Sequence, residues 1–199
     1  MPASKIVDIM VIIDVGTILE SKGKSFIGGT FELSSDPHHP TNLYNFIDSD
    51  HVKLSDKVVF MSARRDYADS GEGTAELAVN LNSGDIVHWR STSLTKDMNY
   101  SVILYKYVQT FPDPNAVGEC LTQIAPNTLP KSPLPIINTS NPNDYSGQPT
   151  AQIVKNFYWQ ANATLPYTGI TYTWSFMIVD SSNKVLGYCS WDPYFNISA

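Results

Sequence analysis

Apolar and polar residues alternate along most of this chain, as they do in strands that bury only one face. The first such segment, Ile6 to Val15, has valine or isoleucine at every odd position from 7 to 15 and both of its aspartates at even positions. Thr74 to Leu81 and Asn156 to Thr164 follow the same period of two. This period predicts half-buried strands. No segment of ten or more residues keeps the apolar spacing of a helix, so no helix is predicted.

Turn residues between neighbouring segments predict two β-hairpins. Asn82-Ser83-Gly84 separates Thr74 to Leu81 from Asp85 to Ser91, and its glycine can adopt a positive φ. Asp180 to Asn183 separates the last two predicted strands in the same way. Those two strands are Ile170 to Val179 and Val185 to Trp191, and the other predicted strands are Lys24 to Leu33, Lys57 to Ala63 and Tyr100 to Thr110. Tyr100 to Thr110 is apolar on both faces in its middle, which predicts a central strand.

The number and spacing of these segments predict the fold class. About eight to ten short strands separated by turns are typical of one all-β domain, here an antiparallel β-sandwich or jelly roll over residues 1–199. The exception is 111–150, which holds eight of the 13 prolines. This stretch is either a long functional loop or an extended segment that wraps a sheet edge and blocks unwanted pairing.

The charge of the chain narrows the range of partners. Net charge is −6, and the single adjacent pair of cations, Arg64-Arg65, is followed by Asp66. Binding to a phosphate backbone needs clustered cations, so no nucleic-acid partner is expected, and an acidic surface does not favour anionic membranes. Charged residues make up only 16% of the chain, which favours self-association into a homo-oligomer.

The first apolar segment also bears on localisation. Asp8 and Asp14 interrupt it, whereas the apolar core of a secretory signal lacks carboxylates. The segment is also too short to span a bilayer as a helix. We therefore predict a cytoplasmic protein without a membrane partner.

Sequence motifs of the common enzyme classes are missing. The chain contains no phosphate-binding loop, dinucleotide fingerprint or nucleophile elbow, so no catalytic residue and no cofactor is predicted. His38-His39 superficially suggests a metal site, with Asp48, Asp50 and His51 about ten residues further on, but a solvated loop is the preferred interpretation. Cys120 and Cys189 are interpreted as two buried thiols, and whether they pair is left open.

Aromatic residues beside polar groups are the candidates for ligand binding. An aromatic face can stack on a sugar or another small molecule while hydrogen bonds set its orientation. The predicted ligand-binding residues are Trp89, Trp191, Asp192 and Tyr194. Packing in the core is the alternative for the tryptophans, because a tryptophan on an alternating strand is usually buried.

Three segments carry a resemblance to a known family. Gly84 to Leu94 resembles a segment Gly-Asp-x-Ile-x-Trp-Arg-x-x-Ser-Leu, with Val87 in place of isoleucine. Tyr172 to Asp180 resembles a Tyr-Thr-x-x-Phe strand, and Gly187 to Phe195 contains the ending Gly-Tyr-x-x-Trp-Asp-Pro-Tyr. In this order they resemble the AidA/PixA family of bacterial inclusion body proteins, from about Ile6 to Ile197.

The resemblance implies small soluble bacterial proteins that are made in quantity, often under quorum control, and that in some cases accumulate as intracellular inclusions. It supplies no catalytic residues. The namesake protein is rich in methionine, whereas this chain has only 5, so methionine storage is not expected. The first hypothesis is therefore a non-enzymatic protein that self-associates into inclusions, and the second is a lectin-like module that binds carbohydrate.

Overall fold

Strands dominate the computed structural model, which describes residues 4–95, 99–137 and 146–199. The predicted all-β class is confirmed. The strands are β1 (Ile6–Ile13), β2 (Ser25–Phe26), β3 (Gly29–Thr30), β4 (Thr41–Asn42), β5 (Val59–Ala63), β6 (Ala68–Ser70), β7 (Ala78–Asn82), β8 (Ile86–Ser93), β9 (Tyr100–Phe111), β10 (Ala125–Ile136), β11 (Thr150–Asn162), β12 (Tyr167–Asp180), β13 (Val185–Trp191) and β14 (Tyr194–Ser198).

Two large sheets form the body of the protein. The first has the strand order β10-β11-β8-β1-β5. The second has the order β4-β13-β12-β14-β7-β6, and β9 lines the other edge of β12. β1 pairs with β8 in parallel, as β14 does with β7 and β13 with β4. The predicted antiparallel pairing therefore holds for most strand pairs but not for these three, because the chain crosses between sheets before it pairs.

One predicted hairpin forms and the other does not. β12 and β13 pair antiparallel around the turn at Asp180 to Asn183, as predicted. The turn after β7 instead carries the chain to the opposite sheet, where β8 pairs with β1 and β11. Asp85 fixes this crossing, since its carboxylate accepts from the backbone N–H of Lys5 at 3.0 Å and of Asn82 at 2.8 Å. The sequence predicts the turn itself correctly. Whether the turn forms a hairpin depends on which sheet the next strand joins.

β9 is an edge strand, which corrects the prediction of a central one. Among the described residues it pairs only with β12. Val102 and Leu104 are buried on its inner side, whereas Ile103 and Val108 are each 41% exposed. β9 is therefore apolar on both faces although only one of them is buried.

Short helices also interrupt the strands, although the sequence predicted none. They are α1 (Val15–Ser21), α2 (Leu54–Val58), α3 (Pro114–Val117) and a 3-10 turn at Leu43–Asn45. Asp14 ends the first strand early by capping α1, since its Oδ1 accepts from the N–H of Thr17 at 3.1 Å. Each helix is shorter than the ten residues over which a helical period becomes visible.

The candidate strand Lys24 to Leu33 is in fact a pair of two-residue strands, β2 and β3. Gly28 lies at their turn, where a Cβ atom would stand 1.9 Å from the carbonyl oxygen of Asn45. Only glycine fits this close approach of two backbones, so the glycine pair that weakened the strand pattern marks a tight turn.

Aromatic side chains join the two sheets. Trp89 from β8 lies edge-to-face on Trp174 of β12, with ring centroids 5.5 Å apart, and 5.8 Å from the ring of Phe195. Tyr172 stacks on Phe195 at 4.3 Å. The described buried side chains form one core around this cluster.

The proline-rich stretch supplies the edge strand of the first sheet. β10 pairs antiparallel with β11 along its length, with one irregularity between Leu129 and Ser132. Residues 125–136 of this stretch therefore form a strand rather than a loop, because prolines are tolerated where one strand edge needs no partner. Residues 138–145 lie outside the described part of the chain.

Replacing Trp191 by alanine tests the core. Trp191 is 0% exposed, so Trp191→Ala leaves a large cavity and is expected to lower the free energy of unfolding by about 3–5 kcal/mol. Chemical denaturation followed by far-ultraviolet circular dichroism measures this change. Val108→Ala, on the exposed face of β9, is the control and should change stability by no more than about 0.5 kcal/mol. Equal stability of Trp191→Ala and the wild type would contradict the assignment of this ring to the core.

Candidate functional site

Two of the four predicted ligand-binding residues lie inside the core. Trp89 and Trp191 are both fully buried. The indole N–H of Trp191 points at the sulfur of Met61 at 3.2 Å, and its ring packs edge-to-face on Phe176. Neither tryptophan presents a face to solvent, so neither can stack on a ligand in this structure.

The other two, Asp192 and Tyr194, are half-buried at the rim of a charged cluster. At its centre Lys53 forms an ion pair with Glu76, and the Lys53 ammonium lies 3.8 Å from the centroid of the Tyr44 ring. Burial alone would lower the pKa of Lys53, but the hydrogen bonds to Glu76 and Tyr44 raise it above its ordinary value. Lys53 is therefore a fixed positive charge beside the predicted residues.

Carboxylates outnumber cations in this cluster. Burial raises the pKa of Asp192; the charges of Glu76 and Asp56 raise it further, while Lys53 opposes them. Burial also raises the pKa of Asp56, whose Oδ1 has no hydrogen-bond partner among the described residues. The cluster is thus acidic and shares one cation, Lys53. Protonation of Asp56 or Asp192 reduces the repulsion between its carboxylates.

The histidines and cysteines that the sequence analysis considered form neither a metal site nor a disulfide among the described residues. His39 Nδ1 lies 2.7 Å from Asp36 Oδ2 in an exposed loop. Within residues 4–95, 99–137 and 146–199, no group of three or more histidine, cysteine or acidic side chains could hold a metal ion. Cys120 and Cys189 are both buried and free, so they do not form a disulfide here.

A feature that the sequence analysis missed is an open cleft beside the outer edge of β9, which we call the aromatic cleft. Its volume is about 500 Å³. Its lining residues are Tyr105, Lys106, Tyr107, Glu119, Leu121, Thr122, Gln123, Ile124 and Trp159. The half-buried Trp159 and the exposed carboxylate of Glu119 therefore meet at one concave surface. The ring of Tyr105 packs on Tyr188, and the ring of Tyr107 stacks on Tyr172 in the core.

Hydrogen bonds hold both walls of the aromatic cleft in place. Trp159 donates its indole N–H to the carbonyl of Leu104 at 2.8 Å and packs on Trp174. Across the cleft, the buried side chain of Gln109 accepts from the N–H of Cys120 at 2.8 Å. Thr122 donates its N–H to the carbonyl of Asn162 at 2.9 Å. The cleft is therefore preformed, which reduces the entropic cost of filling it.

The second exposed feature is a two-stranded ribbon, which we call the arm. It consists of β10 and residues 150–158 of β11, since β11 pairs with β8 only from Trp159 to Asn162. At the usual rise of a strand, the nine residues of β11 in the arm extend roughly 30 Å. Large apolar side chains are exposed along the arm, namely Leu129, Leu134, Ile136, Ile153 and Phe157.

Comparison with protein families identifies the chain. A family model described as PixA, inclusion body protein, matches residues 5–197. The chain belongs to the PixA inclusion body protein family. No curated protein matches the sequence. Within the described residues of this PixA-family protein, no helix is long and apolar enough to cross a membrane.

A solved PixA structure shares this fold. The crystal structure of the inclusion body protein from Burkholderia cenocepacia is 18% identical, covers 98% of this chain and 97% of its own, and superimposes with a TM-score of 0.70. The solution structure of amebosin, 7% identical over 67% of this chain and 93% of its own, has a TM-score of 0.22 and supports no argument. The PixA family is not a known enzyme family.

The family segment Gly187 to Tyr194, which we call the PixA signature, connects β13 to β14 in this protein. Trp191 ends β13 and Tyr194 begins β14, and both strands pair with the same edge of β12. Between them the carbonyl of Pro193 accepts from the N–H of Tyr172 at 3.2 Å. The signature therefore contributes a core ring and a strand connection, and Tyr188, Asp192 and Tyr194 are its half-buried residues.

The charged cluster predicts a pH-dependent stability. Since the pKa of Asp192 is raised in the folded protein, folding binds protons there, and stability falls as pH rises from the ordinary aspartate range through the raised pKa. Asp192→Asn is expected to increase the melting temperature at pH 7, with a gain that shrinks towards pH 4.

Differential scanning calorimetry at both pH values measures the effect. Asp66→Asn, which alters an exposed carboxylate, is the control and should leave the difference from wild type small at both pH values. The prediction is wrong if the gain in melting temperature of Asp192→Asn over the wild type is smaller at pH 7 than at pH 4. In that case the ionised Asp192 carboxylate does not destabilise the folded protein.

Proposed function

We propose that this protein is a non-enzymatic, inclusion-body-type protein that self-associates into intracellular assemblies. Membership of the PixA inclusion body protein family supports the inclusion-body role. The observation that carries self-association is the arm, which exposes apolar side chains on both of its faces.

The pairing register distributes these side chains. Opposed residues of an antiparallel pair share a face, so Ile153 with Pro133 and Phe157 with Thr128 lie on one face. Leu134 with Gln152 and Leu129 with Asn156 lie on the other. A two-stranded ribbon is marginally stable by itself, and burial of either face against another molecule stabilises it.

Prolines direct how the arm associates. β10 contains Pro126, Pro130, Pro133 and Pro135, none of which has a backbone N–H to donate. A regular ladder of hydrogen bonds with another strand is therefore disfavoured along the free edge of β10. The arm is therefore suited to contacts through its side chains. Such contacts select their partner more strictly than does the addition of further strands to a free sheet edge.

Charge also supports a second copy as the partner. The described residues of the arm include two lysines, Lys131 and Lys155, and no acidic residue. The protein as a whole has a net charge of −6. A basic arm on an acidic body favours association between copies and reduces repulsion as they approach.

The lectin-like alternative has less support. Trp89 and Trp191 are buried, and of the four proposed contact residues only Asp192 and Tyr194 reach the surface. Neither provides the flat, exposed indole face on which a sugar ring stacks best.

Charges placed on the arm test self-association. The double variant Leu134→Glu/Ile153→Glu adds a carboxylate to each face of the arm and is expected to raise, roughly tenfold, the protein concentration at which large species form. Light scattering coupled to size exclusion measures the distribution, in which the single chain has a mass of 22.1 kDa.

The matched control is Ile6→Glu/Ile27→Glu, which places the same two charges on exposed isoleucines outside the arm. It should assemble like the wild type. Self-association through the arm is wrong if the double variant and the control assemble alike, and the proposed function fails if the wild type remains a single chain at all concentrations.

A further inference from the structure

We propose that the proline-rich strand of the arm binds in the aromatic cleft of a second copy of this chain, an inference that rests on the proposed self-association and names its two surfaces. The aromatic cleft is the acceptor surface and β10 is the donor surface. β10 and much of the cleft lining belong to the proline-rich stretch 111–150 that the sequence sets apart.

The chemistry of the two surfaces matches. β10 carries Pro130 and Pro133, both of them exposed, and proline rings are common partners of aromatic-lined grooves. The aromatic cleft presents the half-buried ring of Trp159 and the half-buried side chain of Ile124 to such rings. Proline segments are conformationally restricted before they bind, so little chain entropy is lost when they are captured.

One pair of side chains at the two surfaces carries opposite charges. Lys131 lies between the two prolines and is exposed, and Glu119 is an exposed carboxylate at the aromatic cleft. Lys106 also lines the cleft and supplies a donor for the carbonyl oxygens of the docked strand. Lys131 and Glu119 therefore set the register in which the prolines meet the ring of Trp159.

The strand cannot reach the aromatic cleft of its own chain. Ala125 at the base of the arm follows Ile124, a lining residue of the cleft, and pairs with Gln160. Lys131 lies six residues further along a paired strand, roughly 20 Å away. Because β10 stays paired with β11 and runs away from the body, the occupant must be the arm of another copy.

Such a contact has no internal symmetry, because the arm and the cleft are different surfaces. Each copy offers one of each, so a bound copy still presents a free arm or a free cleft. Head-to-tail contacts of this kind form filaments or larger assemblies unless the geometry closes a ring. Growth of this kind is what an inclusion requires.

Reciprocal charge reversal tests the contact. Glu119→Lys places two cations together at the contact and Lys131→Glu places two anions there, so each variant alone is expected to need a roughly three- to tenfold higher concentration to form large species. An equimolar mixture of the two variants restores opposite charges at every contact and should assemble at the wild-type concentration. Light scattering at low ionic strength follows all samples, and circular dichroism confirms that each variant is folded.

Glu20→Lys and Lys184→Glu are the matched controls, since both side chains are exposed away from the two surfaces, and neither they nor their mixture should differ from the wild type. If the wild type assembles and both reversals assemble equally well, or if the mixture stays as impaired as its components, the contact is wrong although self-association stands. A wild type that remains a single chain at all concentrations overturns both proposals.

Discussion

Packing of aromatic rings between the two sheets is the constraint on which the rest of the structure depends. Trp89 from the first sheet meets Trp174 and Phe195 from the second, and Tyr172 stacks on Phe195. Each ring removes a large apolar area from water, and each well-oriented pair adds about 0.5–1.5 kcal/mol. The sheets therefore have a defined spacing and register, and the strands at their edges are placed by this core.

The aromatic cleft and the arm are both consequences of that placement. Trp159 packs on Trp174 from the outside of the cluster and thereby fixes the end of β11 beside the edge of β9. Within the described part of the chain, residues 150–158 of β11 pair only with β10, so the two strands leave the body as a ribbon. One residue thus belongs to the core, lines the cleft and marks the base of the arm.

A body with a closed aromatic core and an arm with exposed apolar side chains suits the proposed inclusion-body role. The body buries Trp89, Trp174 and Trp191 and satisfies Asp85 and Gln109 by hydrogen bonds within the same chain. The arm gains its additional burial only from another molecule. Prolines in β10 limit uncontrolled strand addition, which favours assembly through specific side-chain contacts.

The sequence by itself determined the all-β class, the buried face of β1, the β12–β13 hairpin and membership of the family, because each is encoded in local alternation, turn residues or ordered motifs. Only the tertiary structure decided the rest. Asn82-Ser83-Gly84 is a plausible hairpin turn, yet the next strand joins the other sheet, since pairing partners are chosen by the whole core. Trp191 and Trp159 have similar local patterns, but one is enclosed and the other lines a cleft, because burial depends on strands distant in sequence.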